Sequence, residues 1–139
     1  MAKISYNVAN EYLMGVFTSW FVTHEDPPTR PEELLNSVRQ FRLKAEKFGD
    51  LKYLRVTLEH VITNPYLDHK ILMDFSFNDN YAFDPEEVLD ILAFLYRETW
   101  PHHPQPQKGR YPTVEWLYGM QWSEWQNRKA ELNPELNER

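Results

Sequence analysis

Five histidines, His24, His60, His69, His102 and His103, are the most versatile chemical groups in the chain, because imidazole changes charge near neutral pH and binds metals. A β-hairpin over 53–62 and 71–77 would bring His60 and His69 near facing strand ends, with Glu59 and Asp68 beside them. Two imidazoles and a carboxylate can hold a transition metal. Adjacent strand residues point to opposite faces, however, which makes Glu59 and His60 a poor chelating pair. His-Glu-x-x-His does not occur. Without cysteine there is no thiolate site, disulfide or thiol nucleophile. His102 and His103 lie between prolines and read as part of a stiff, exposed linker.

Acyl-transfer chemistry has even less to start from. None of Ser5, Ser19, Ser37, Ser76 and Ser123 sits in Gly-x-Ser-x-Gly. The four glycines, Gly15, Gly49, Gly109 and Gly119, are too scattered for a phosphate-cradling loop. The pairs Glu25-Asp26 and Glu86-Glu87 could supply acid and base. In a turn and at a helix start, such residues normally serve as caps and dipole partners. No catalytic residue, metal ligand or cofactor is expected.

A formal net charge of −6 disfavours nucleic acid as a partner. The charge is unevenly spread. From Arg30 to Arg55 there are seven basic and four acidic residues, whereas from Asp79 to Glu98 there are six acidic residues and only Arg97 is basic. Opposed patches of this kind can steer an encounter with another protein or with a second copy. The N-terminus lacks a signal-peptide pattern, and no apolar run approaches the roughly 18 residues of a membrane helix. The expected setting is therefore cytoplasmic, with no membrane partner.

Aromatic residues make up 15% of the chain, and each large ring buries about 150–250 Å², so a few of them can carry a core. Trp100, Trp116, Trp122 and Trp125 fall in the last forty residues. Wound as one helix, 113–128 puts Val114, Leu117, Tyr118, Trp122 and Trp125 on a broad face, with Trp116 and Met120 pointing the other way. A helix on the outside of a domain buries one face, so the second needs its own chain, a second copy or a partner. Trp116, Met120, Trp122, Trp125 and Arg128 thus become candidate partner-binding residues, with Glu86 and Glu87 steering the approach.

The elements expected to position these groups form a single α+β domain in the order α-α-β-β-α-α. Residues 7–22 favour a helix over a strand, because polar and apolar residues do not alternate. Residues 31–48 give the clearest helix. Thr29 is its expected N-cap, Glu32 completes a capping box, Pro31 lies in the first turn and Gly49 follows the last. Residues 53–62 fit either type; the alternation of Ile71, Met73, Phe75 and Phe77 with polar neighbours tips them toward a hairpin. Asp84 caps a helix over 85–98 that is apolar nearly all round, and it should be the buried centre of the core. An all-α bundle is the alternative if 53–62 and 71–77 are helical. The expected organisation is a main core over 1–100, a proline-rich linker over 101–112, an aromatic helix over 113–132 packing on the core or a partner, and a fraying tail over 133–139.

Together these features point to a non-catalytic intracellular interaction domain. A small inhibitor or adaptor that occludes a larger protein, of the size that phages encode, is the leading expectation. A homo-oligomeric structural or regulatory protein is the second. A small metal-dependent enzyme using His60, His69 and Asp68 is the third.

Overall fold

The computed structural model describes residues 1–24, 28–64, 77–78, 81–82, 85–107 and 114–137. The chain opens with a short strand, β1 (Ala2–Ser5), that runs directly into α1 (Tyr6–Phe21). Ser5 makes the junction, since its Oγ caps α1 by accepting from the Val8 N–H at 3.2 Å. Val8, Ala9, Tyr12, Leu13, Val16 and Phe17 turn inward, while Glu11, Gly15, Thr18 and Ser19 are exposed. That is the helix expected over 7–22.

A 3₁₀ turn (Pro31–Leu34) leads into α2 (Leu35–Phe48). Leu34, Val38, Phe41 and Ala45 are buried, as their 3.6-residue spacing requires. The expected capping box is replaced by a reach-back from Glu33, whose carboxylate accepts from Thr29 N–H at 3.1 Å and Thr29 Oγ1 at 2.9 Å. Gly49 ends α2 at φ 70°, a left-handed conformation that glycine adopts without Cβ strain.

The expectation of a strand over 53–62 is overturned: this segment lies within α3 (Leu51–Thr63). Tyr53, Leu54, Thr57, Leu58, His60 and Val61 are all buried, an i, i+3, i+4 pattern that only a helix can place on one side. The β-branched Thr57 fits because its Oγ1 donates to Tyr53 O at 2.8 Å. The proposed partner strand falls largely outside the described residues. Its described end, Phe77–Asn78 (β2), pairs antiparallel with Tyr81–Ala82 (β3).

Helix α4 (Pro85–Thr99) is the buried centre expected from its composition. Val88, Ile91, Leu92, Phe94, Leu95 and Tyr96 are enclosed, leaving Glu86, Glu87, Asp90, Arg97 and Glu98 exposed. It packs against α2, α3 and the 3₁₀ turn.

The C-terminal stretch is where sequence and structure part most. Residues 113–132 are not one helix. They form β4 (Val114–Leu117), a turn, and α5 (Trp122–Leu132). β4 pairs parallel with β1, with Ala2 opposite Val114 and Ser5 opposite Leu117. Gly119 breaks the path at φ 83°. In a helix interior glycine costs about 1 kcal/mol relative to alanine, whereas in this turn its missing Cβ removes a strain. The expected fraying after 132 gives way to a short helix, α6 (Pro134–Asn137). Asn133 just before it is fully buried. Its carboxamide accepts from Lys3 N–H at 2.7 Å and donates to Lys3 O at 2.8 Å. One side chain thereby occupies both backbone groups of Lys3, blunting the edge of β1 that would otherwise recruit another strand.

The architecture is a single α+β domain, mostly helical, with a two-stranded parallel sheet joining the two ends of the described chain. Among the described residues no helix is long and apolar enough to cross a membrane.

Candidate partner-binding surface

Several of the groups nominated for chemistry or binding hold the fold together. Trp125 is 1% exposed and Met120 is 8% exposed, so neither can anchor a partner. Met120 lies in the turn between β4 and α5, and Trp125 lies in the first half of α5.

Trp125 ends at a polar centre that the sequence reading passed over. Asp50, also 1% exposed, accepts from Tyr12 Oη at 2.6 Å, Trp125 Nε1 at 3.0 Å, Gln126 Nε2 at 2.9 Å and Lys129 Nζ at 3.0 Å. Lys129 also donates to the Phe48 carbonyl, one of the carbonyls left open where α2 ends. The only sequence sign of this role is an acidic residue after Gly49, between two helices. With 53–62 read as a strand, that sign had no meaning. A carboxylate offers about four lone-pair sites. All four here meet donors, which leaves Asp50 no capacity to act as a base.

This centre gives stability a pH dependence. Burial first, and then the hydrogen bond to the Asp50 carboxylate, raise the Tyr12 phenol above its ordinary value. Burial and the Asp50 charge raise Tyr53 as well. The unfolded chain therefore releases these two protons first. The stability they supply is fully present below about pH 10 and is lost as pH rises further. Urea midpoints measured from neutral pH upward should fall beyond about pH 10, less steeply in Tyr12→Phe. An equal alkaline slope in that variant would remove Tyr12 as the cause.

His60 is equally committed. It is 3% exposed, its Nδ1 accepts from the Val114 N–H at 3.3 Å, and its ring meets Trp116 edge-on at 6.0 Å. It therefore supports β4 from α3. His69 and Asp68, the other members of the proposed metal set, lie outside the described residues. Among the described residues no group of three histidine, aspartate or glutamate side chains could hold a metal ion.

What reaches solvent near the nominated residues is the β4–α5 turn. Tyr118 is 59% exposed, and Trp116, Leu117 and Trp122 are half-buried. The Tyr118 ring lies 5.1 Å from that of buried Tyr6, which in turn meets Trp116 edge-on at 5.8 Å. The turn is pinned on both sides of Gly119. Asn7 Oδ1 accepts from Gly119 N–H at 3.2 Å, and Ser5 Oγ donates to Met120 O at 2.7 Å. Trp122 is capped by Lys44, whose Nζ lies 4.9 Å from its ring centroid. Of the other nominated residues, Glu86 and Glu87 are exposed on α4. Arg128 is engaged with Glu124 at 3.3 Å and Glu131 at 3.8 Å.

Comparison of the chain with protein-family models, curated proteins and solved structures finds no match. Its function must be argued from this geometry alone.

Proposed function

We propose that the chain is a non-catalytic intracellular interaction domain that occludes a larger protein, and that Tyr118 on the β4–α5 turn is its principal contact. One observation carries this reading: a large aromatic side chain, 59% exposed, stands on a turn held by two side-chain hydrogen bonds and a left-handed glycine. Tyrosine and tryptophan are enriched among residues that dominate binding energy. Holding such a ring in place before the encounter reduces the ordering cost of association. Half-buried Trp116, Leu117 and Trp122 would form the surrounding apolar rim. Exposed Glu86 and Glu87 would bias the approach of a basic partner. The commitment of Asp50, His60 and Ser5 to the fold supports a non-catalytic role. The absence of cysteine fits a reducing compartment.

Tyr118→Ala separates this role from a structural one. An exposed side chain should change stability by no more than about 0.5 kcal/mol. A partner captured from the source cell by the wild-type protein should bind the variant about thirtyfold more weakly, the loss of a strong hot spot. Unchanged affinity in a folded variant would remove the turn as the contact surface.

A further inference from the structure

At the other end of the two-stranded sheet lies a cleft of about 470 Å³, within the roughly 300–1,000 Å³ typical of small-ligand sites. It opens between α3, the end of α4, residues 103–104 and α6. Its polar wall is not fully satisfied. Arg55 Nε lies 3.3 Å from Glu59 Oε1 but is buried without an aligned acceptor. Arg55 NH1 lies 3.2 Å from His103 Nε2. Glu59 accepts from Tyr96 Oη at 3.1 Å through the same oxygen, Oε1. The outer end of the guanidinium, a planar fork suited to carboxylates, makes no hydrogen bond to a carboxylate among the described residues. Glu135 on α6 lines the same cleft and is exposed. It enters no hydrogen bond or ion pair with the described residues. Val56 and Leu136 supply apolar surface between these charges.

We infer that this cleft binds a small apolar zwitterion, a free amino acid or dipeptide, with its carboxylate on Arg55 and its ammonium on Glu135. A simple anion is disfavoured because, among the lining side chains, the carboxylates of Glu59 and Glu135 outnumber the Arg55 guanidinium. A simple cation is disfavoured because the Arg55 guanidinium lines the same cleft and repels it. A ligand carrying both charges pairs the outer guanidinium of Arg55 and the Glu135 carboxylate at once and leaves the cleft's net charge unchanged. The site is independent of the Tyr118 turn, so neither proposal depends on the other.

The test is a titration of the intact chain with leucyl-leucine, followed by NMR shifts, alongside acetyl-leucyl-leucine and leucyl-leucinamide. The free dipeptide should bind saturably in about the millimolar range. Removing either charge should weaken it at least tenfold. Arg55→Gln should abolish the preference for the free carboxylate. Glu135→Gln, a surface change that leaves the fold intact, should abolish the preference for the free amine. Tyr118→Ala should bind the dipeptide like wild type. Equal binding of all three peptides, no saturable binding of the free one, or an unchanged preference in Glu135→Gln would overturn the inference.

Discussion

Asp50→Ala is expected to destabilise the protein by about 3–5 kcal/mol, the cost of breaking a buried ion pair from one side. The Asp50–Lys129 pair is well enclosed, with 1% and 13% of the two side chains exposed. Removing the carboxylate leaves an ammonium facing only the Phe48 carbonyl and the Gln126 carboxamide oxygen. It also orphans the donors of Tyr12, Trp125 and Gln126. Each is a buried or half-buried polar group, and an unmet buried donor costs about 1–3 kcal/mol. These terms overlap and do not simply add. Against a total stability of about 5–15 kcal/mol for a domain, the loss could leave little folded protein. Asp50→Asn keeps the variant measurable. Its carboxamide preserves the shape and one acceptor oxygen but turns an NH₂ toward groups that are themselves donors. The expected order in urea unfolding is wild type, then Asn, then Ala. A change under about 0.5 kcal/mol for Ala, the range of ordinary surface substitutions, would show that the centre is not a keystone.

The reach of sequence reasoning follows from how local each signal is. The helix at Pro85–Thr99 was legible because its apolar residues recur on every side within fifteen positions. Helices α1 and α2 were legible for the same reason. The identity of 51–63 was not, because Leu54, Val56 and Leu58 satisfy both a two-residue and a 3.6-residue period. Only the contacts of Thr57 and His60 distinguish them. The β1–β4 pairing was invisible: strands of four residues, with more than a hundred positions between them, leave no periodic trace. Trp116 and Met120 were read as neighbours on a helix, an error traceable to Gly119, whose turn geometry was available as a warning. Of the nominated aromatic residues, Trp116 and Trp122 keep partial exposure, and the ring most exposed at that turn, Tyr118, is not one of them. Arg55 and Glu135 could not have been paired from sequence, since eighty positions separate them.

Trp125→Ala should be the second severe substitution, costing about 3–5 kcal/mol as a large-to-small change in the core. The indole packs edge-on against Tyr53 at 5.2 Å and is 1% exposed. Truncation would therefore leave a cavity at the point where α5 meets α1 and α3. Trp125→Phe refills part of that volume but strips Asp50 of one donor, so its expected loss is about 1–3 kcal/mol. Because Trp125 and Asp50 share a bond, their double variant should be less destabilised than the sum of the singles. Half-buried Trp122, shielded by Lys44, should fall between Trp125 and Tyr118. This ordering tests where α5 belongs. An arm that docks only on a partner would lose binding and keep its fold when Trp125 is truncated. A helix built into the core would lose its fold there and yield binding only to substitutions at the turn. Urea unfolding of the three alanine variants decides between them, and a Trp125→Ala protein as stable as wild type would return α5 to the surface.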